Sequence, residues 1–320
     1  MMHTPNQLAA RAAIAKAAAL AALLFAQPAF AQDDGASDDS IEIPADLQPQ
    51  GARRANGGTP RLPPPSGQPT FVPTQPATRV AGPPSVLAIL AHPDDEITMA
   101  PILARIAREG GGVTIVFATS GDAGPGVSDM APGKDLAELR ENEARCAAFA
   151  LGVPEPTFWQ YGDGTLASIA RGDLTENNDA DNDAGTITAR ITAIIAETGP
   201  HAVMTWGPDG GYGHADHRMI SNAVTQAVQS MGDGRPDLLY AAFPKSDDEG
   251  LPGFEGWATI HPSLITDRIR YQPADLEATR GAVACYQSQF PDAARAALPD
   301  ILHSQLWQGT VYFRLAFQRQ

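Results

Sequence analysis

Two short clusters hold most of the residues with chemistry to offer. Ala91-His92-Pro93-Asp94-Asp95-Glu96 sets an imidazole beside three carboxylates, and Gly213-His214-Ala215-Asp216-His217 sets two imidazoles around another. His92 and Asp95 are unlike ligands separated by a stiff Pro-Asp pair, which suits a borderline cation, and the second cluster offers the same ion a further imidazole. Two histidines and one carboxylate leave a position open for water, as catalytic rather than structural zinc sites do. A cation held that way acidifies water and polarises a carbonyl. Hydrolysis also requires a base and an oxyanion donor. Asp94, adjacent to a ligand yet free of it, is the candidate base. His214, one helical turn from His217, is the candidate donor, with Asp216 to keep it protonated or oriented. Tyr212, inside Gly210-Gly211-Tyr212-Gly213, is placed to reach the substrate carbonyl. Taken singly, a histidine at a loop start is an ordinary cap or surface residue, and an Asp-Asp-Glu run caps a following helix. The pairing of the two clusters at strand ends is what favours a site.

The elements that must position these clusters alternate regularly. Val86 to Leu90, Val113 to Thr119, Thr157 to Tyr161, Ala202 to Trp206 and Leu238 to Phe243 read as strands. Between them, helical spacing links Ile97, Ile102, Leu103 and Ile106, then Leu136, Leu139, Cys146 and Phe149. It recurs in Ile187, Ile191, Ile194 and Ile195, and in Met219, Ile220, Ala223, Val224 and Ala227. Strands separated by helices predict an α/β, Rossmann-like fold, a mostly parallel sheet with helices on both faces in a single catalytic domain over 85–320. Ligands of such sheets sit beyond the carboxyl ends of the strands. Each cluster directly follows a predicted strand.

Outside this domain, residues 1–31 carry Arg11 and Lys16, an Ala/Leu-rich run and Ala29-Phe30-Ala31, the pattern of a secretory signal peptide; export to the periplasm or medium is expected. Residues 32–84, rich in Pro, Gln and Gly, read as a disordered or extended linker. With 22 basic and 37 acidic residues the chain carries a formal charge of −15. Loss of residues 1–31 leaves 20 basic against 37 acidic, a charge of −17. Such a protein is repelled by phosphate backbones and anionic bilayers, which excludes nucleic acid and stable membrane association and leaves a small molecule or glycan as partner. Nothing in the sequence speaks to oligomeric state. Cys146 and Cys285 both fall in helix-like stretches and are expected as buried packing residues rather than a bridge. Asn177 to Asp183 has the alternating aspartates of a calcium loop, but glycine arrives one position late and Arg190 stands where the bidentate glutamate belongs, so a solvated acidic loop is expected. His201, His261 and His303 are assigned structural or surface roles.

On these motifs the chain resembles the LmbE/PIG-L deacetylases. The resemblance runs from about Val86 to the C-terminus. Leu139-Arg140-Glu141, Tyr161-Gly162-Asp163-Gly164-Thr165-Leu166 and Tyr286-Gln287-Ser288-Gln289 are similar to weaker family patterns, while Val311-Tyr312-Phe313-Arg314 lacks the glutamate often found before the Phe-Arg pair. The resemblance implies Zn2+, or another divalent metal such as Fe2+, bound by His92, Asp95 and His217. It further implies Asp94 as general base, His214 as oxyanion stabiliser or general acid supported by Asp216, and Tyr212, Arg140 and Asp163 against substrate. The function it implies is removal of an N-acetyl group from an N-acetylglucosamine-containing substrate, and export points to a cell-wall or extracellular glycan. An amidase acting on another amide, a glycan-binding module with an idle site, and a non-haem iron oxygenase built on the same ligand set are the alternatives.

Overall fold

All five expected strands form in the computed structural model, which describes residues 84–166, 184–245, 254 and 256–318. They are β1 (Val86–Leu90), β2 (Val113–Thr119), β3 (Thr157–Tyr161), β4 (Ala202–Thr205) and β5 (Asp237–Ala241). β1 reads Val-Leu-Ala-Ile-Leu with every residue buried, the continuous apolar run of a strand covered on both faces. β4 stops at Thr205, so Trp206 opens the loop beyond it. Two further strands, β6 (Asp267–Arg270) and β7 (Thr310–Leu315), extend the sheet to seven in the order β3-β2-β1-β4-β5-β7-β6. β1 to β5 pair in parallel, whereas β7 runs antiparallel to both β5 and β6. The alternation Val311 and Phe313 inward, Tyr312 and Arg314 half-buried is a period-two signal.

The helices are α1 (Ala100–Arg108), α2 (Lys134–Leu151), α3 (Ala184–Thr198), α4 (Ala215–Ser230), α5 (Pro273–Cys285) and α6 (Asp292–Ile301). α1 starts with a proline in its first turn, where the missing N–H has no intrahelical partner to lose. α5 packs against α1, α2 and α6, and α3 packs against α4. α6 runs into a wide helical turn over Leu302–Trp307, which delivers the chain to β7.

Two expectations are corrected. The buried stripe of α2 is Leu136, Arg140, Glu143, Ala144, Ala147, Ala148 and Leu151, not one that includes Cys146 and Phe149; Phe149 is 87% exposed. Small alanines let α5 approach closely. Cys146 and Cys285 are joined in a disulfide, their Cα atoms 5.8 Å apart, which ties α2 to the end of α5. The same close approach that rotates Cys146 out of the core brings the two thiols together. Residues 1–31, the 32–83 stretch and the acidic segment from Asn177 to Asp183 lie outside the described residues.

β1 is the pivot. The chain lays β2 and β3 to one side of it, then returns to lay β4 and β5 on the other. Loops leaving β1 and β4 therefore diverge over a crevice, the place where doubly wound sheets bind ligands.

Candidate active site

Both sequence clusters meet over that crevice. The chain leaves β1 at Ala91 and turns through Asp94, whose φ of 99° is left-handed and costs a non-glycine residue strain. Three contacts hold it there. The Asp94 N–H donates to Glu96 Oε2 at 3.2 Å, and Arg140 Nη2 donates to the Pro93 carbonyl at 2.8 Å and to Asp94 Oδ2 at 3.3 Å. Glu96 is itself pinned from the far side by the Tyr286 hydroxyl, which donates to Oε1 at 2.5 Å. Asp95 turns back instead, and its Oδ2 accepts the N–H groups of Ala91 and His92 at 2.9 and 3.0 Å.

The second cluster opens α4. His214 is the N-cap, and its Nδ1 accepts the Asp216 N–H at 3.2 Å. His217 lies in the first turn with its ring stacked on Trp206, and its Nδ1 faces the Gly210 carbonyl at 3.1 Å. Gly211 has a φ of 72°, and a Cβ there would sit 2.5 Å from the Trp206 ring, so the loop that carries Tyr212 closes over the indole only with glycine at this position.

The tautomers follow from these partners. His217 Nδ1 must carry its proton to satisfy Gly210, which leaves the Nε2 lone pair directed at Asp95 Oδ1, 3.0 Å away, and at His92 Nδ1, 3.2 Å away. His92 Nε2 faces carboxylates, Asp163 Oδ1 at 3.0 Å and Asp216 Oδ2 at 3.4 Å, and serves as the donor to them. Its Nδ1 lone pair is thereby turned inward too. The inward-facing His92 Nδ1, His217 Nε2 and Asp95 Oδ1 thus converge, while each ring's other nitrogen is fixed by a carbonyl or carboxylate. That is the arrangement of metal-ligating histidines and their orienting partners, and the donor set fits a divalent cation. The groupings His92/His214/His217 and His92/Asp163/Asp216 also bring ligand atoms close together. In the first, His214 Nδ1 is occupied as a cap; in the second, Asp163 is occupied by His92 and the Ala123 N–H and Asp216 Oδ2 by His92 and the Gly164 N–H, while Asp216 Oδ1 has no hydrogen-bond partner.

Electrostatics separates the acids. Burial would raise Asp95, but His217 and His92 outweigh it and hold the carboxyl well below its usual range. For Asp94 burial wins over the opposing Arg140 guanidinium, and its pKa is pushed up to about 7. Burial also works against a charged His92, yet Asp163 and Asp216 reverse that and raise it. His214 is lowered to about 4, by burial first and then by His92 and His217. It is a neutral ring at neutral pH, and with Nδ1 accepting, its proton sits on Nε2. Burial likewise keeps the Tyr212 hydroxyl protonated.

The structure sharpens three expected roles. The Asp216 side chain faces His92 and Gly164 rather than His214, which it orients through its backbone N–H. Asp163 orients His92. Arg140 lines the pocket, but its terminal nitrogens are engaged by the Gly121, Gly124 and Pro93 carbonyls and Asp94, so it braces Asp94. Glu96, Tyr286 and Trp206 were not singled out as site residues from sequence; Glu96 had a signal, lying inside the first motif, and Tyr286 a weaker one, opening the Tyr286-Gln287-Ser288-Gln289 pattern. The pocket above the cluster encloses about 810 Å³ including its mouth. His201, His261 and His303 bond to Ser85, Ser263 and Tyr271, away from it.

The model of the family described as PIG-L, GlcNAc-PI de-N-acetylase, matches residues 87–228. Over 174 residues the chain is 35% identical to the 1D-myo-inositol 2-acetamido-2-deoxy-alpha-D-glucopyranoside deacetylase of Kineococcus radiotolerans, with 49% of this chain and 48% of that protein covered; it spans about half that relative's length. It is 32% identical over 239 residues to the protein of the same name from Rhodococcus erythropolis, with 68% of this chain and 70% of that one covered. The solved N,N'-diacetylchitobiose deacetylase of Pyrococcus horikoshii shares the fold, with a TM-score of 0.51 at 19% identity over 72% of this chain and 83% of that one. Two motifs meeting at one sheet crevice, and a match that spans most of the Rhodococcus relative, place the chain in the PIG-L family of de-N-acetylases.

Proposed function

We propose that the chain is a zinc-dependent N-deacetylase that removes the acetyl group from an N-acetylglucosamine conjugate. The observation that carries this is the convergence of His92 Nδ1, Asp95 Oδ1 and His217 Nε2 beside Asp94 and His214 in one pocket. The names of the relatives, which act on an acetamido sugar, supply the substrate class.

His92, Asp95 and His217 would hold the ion, which when bound supplies the Lewis acidity that acidifies water and polarises a carbonyl. Asp94, raised toward neutrality and braced by Arg140, takes a proton from the attacking water at its exposed carboxylate edge and returns it to the departing amine. The Nε2–H of neutral His214 is the donor for the oxyanion, since its Nδ1 is committed to the helix terminus. Tyr212, protonated and packed 5.2 Å from the His217 ring, adds a hydroxyl to the same wall.

We also place the protein outside the cytosol. Residues 1–31 support this, and so does the Cys146–Cys285 bridge, since disulfides persist in oxidising compartments. Cell fractionation with an antibody tests it; recovery in the cytosolic fraction alone refutes it.

Acetate release from a panel of N-acetylglucosamine conjugates tests the activity, comparing wild type, chelated protein, zinc-restored protein and Asp94→Ala. The expected pattern is activity lost on chelation, restored by zinc, and reduced by about 10²–10⁴-fold in Asp94→Ala. Equal behaviour of all four refutes the reading.

A further inference from the structure

The pocket has two unlike halves. Around the catalytic cluster it is polar, lined by His92, Asp94, Asp95, Arg140, Asp163 and His214, whereas Phe243, Trp257, Phe290, Leu298, Leu302 and Leu306 make up an apolar part of the lining. Those three leucines recur every fourth residue through the end of α6 and the wide turn after it. At about 1.5 Å of rise per residue Leu298 and Leu302 lie roughly 6 Å apart along the helix, and Leu306 continues the stripe through the wide turn. Two of the polar groups bordering this wall are engaged elsewhere. The Gln289 amide donates to the Gly124 carbonyl and the Ser288 hydroxyl, and the Thr98 hydroxyl donates to the Asp95 carbonyl.

A polyol lying against such a wall would leave hydroxyls without partners, each costing more than a buried methylene gains. A phosphodiester fares no better. Arg140, the guanidinium in the lining, already serves three carbonyls and Asp94, and the surrounding carboxylates repel an anion. An apolar stripe in the lining of the same pocket as a hydrolytic centre fits a neutral, unbranched chain.

We infer that the leucine stripe is a subsite for a linear alkyl aglycone, so that the preferred substrate is an alkyl glycoside of N-acetylglucosamine rather than an inositol or phosphoinositol conjugate. This rests on the N-deacetylase reading. Family members remove acetyl groups, so the acyl side of the scissile amide is short and the chain belongs on the sugar side.

The experiment compares kcat/KM for acetate release from octyl and methyl N-acetylglucosaminides and from the inositol conjugate, in wild type, Leu302→Gln and Leu306→Gln, below the micelle-forming concentration. Fatty-acid release from N-octanoylglucosamine is a further arm. The expected octyl-to-methyl ratio in wild type is about tenfold or more, with the inositol conjugate no better than the methyl glycoside, and either glutamine substitution brings the ratio to near one. Because the readout is a ratio within each variant, partial loss of folded protein does not mimic the result. A wild-type ratio near one, a ratio unmoved by both substitutions, or preference for the inositol conjugate or N-octanoylglucosamine overturns the inference. Calorimetric binding of the two glycosides to metal-free protein separates it from the catalytic reading. If nothing is hydrolysed but the octyl glycoside binds about tenfold tighter in wild type and not in the variants, the deacetylase reading falls and the subsite stands. Equal binding overturns the subsite.

Discussion

The indole of Trp206 lies flat against the imidazole of His217, ring centroids 4.3 Å apart and planes 7° from parallel. Trp206 is 2% exposed, and Tyr212, Phe243 and Trp257 pack around it. The ring of a proposed metal ligand is thus held by a rigid aromatic surface on one side and by the Gly210 carbonyl at its Nδ1.

Trp206→Leu removes the surface and keeps the carbonyl. Loss of a group that orients a metal ligand typically weakens metal affinity by about 10–100-fold. Competition for zinc against a chromogenic chelator measures it. An unchanged zinc affinity in folded Trp206→Leu would show that the stacking is only core packing.

Asp163 presents a complementary case, since it acts on His92 through a hydrogen bond rather than a face. Its Oδ1 holds His92 Nε2 at 3.0 Å while Oδ2 accepts the Ala123 N–H. Asp163→Asn preserves shape and removes the charge that fixes the His92 tautomer. Zinc affinity should fall by about 10–100-fold, with Asp216 retaining part of the orientation. If instead KM for the sugar rises while zinc binding is untouched, Asp163 is a substrate contact.

The Cys146–Cys285 bridge closes a separation of 139 residues. Constraining the unfolded chain over a loop of that size is worth about 5 kcal/mol in the chain-entropy model, and removed native bridges typically cost about 2–5 kcal/mol. The double variant Cys146→Ala/Cys285→Ala should therefore melt roughly 5–15 °C lower than wild type. A thermal melt checks it, with non-reducing electrophoresis verifying the bridge in wild type. Equal melting temperatures would mean that the contacts between α2 and α5 suffice alone.

How much of this was legible before the structure depends on how local each determinant is. β1 and the clusters after β1 and β4 were readable because a fully apolar run and a dense motif are local signals, and α/β alternation then dictates where their loops converge. β6 and β7 were missed as strands. β7 takes its place by pairing antiparallel to β5 across a long sequence separation, although Val311 and Phe313 carried the alternation. The disulfide depended on the rotation of α2, which is set by alanines packing against α5, and periodicity favoured Leu139 and Phe149 instead. The sequence assigns Asp95 to the ion and Asp94 to the proton, but the cause of that division was not legible there, for a related reason. Asp94 and Asp95 are adjacent, and only the backbone turn at φ 99° sends one toward Arg140 and the other toward His217.

Glu96 gives the last expectation, in pH. It is 1% exposed, and burial raises its pKa to about 8 against the lowering effect of the Tyr286 hydrogen bond, with Asp94 adding to the rise. In the unfolded chain it titrates near 4.5. Between those values the native state keeps a proton that the unfolded state has released, so unfolding free energy falls as pH rises. The contribution is complete below about 4.5 and is lost progressively up to about 8. At about 1.4 kcal/mol per pKa unit the loss is at most roughly 5 kcal/mol. Glu96→Gln keeps the shape and abolishes the titration. Urea unfolding of chelator-treated wild type and variant across pH 5 to 8 should therefore give diverging profiles, the wild type losing stability more steeply. Parallel profiles would mean that Glu96 is ionised in the folded protein, with Tyr286 rather than a retained proton stabilising it.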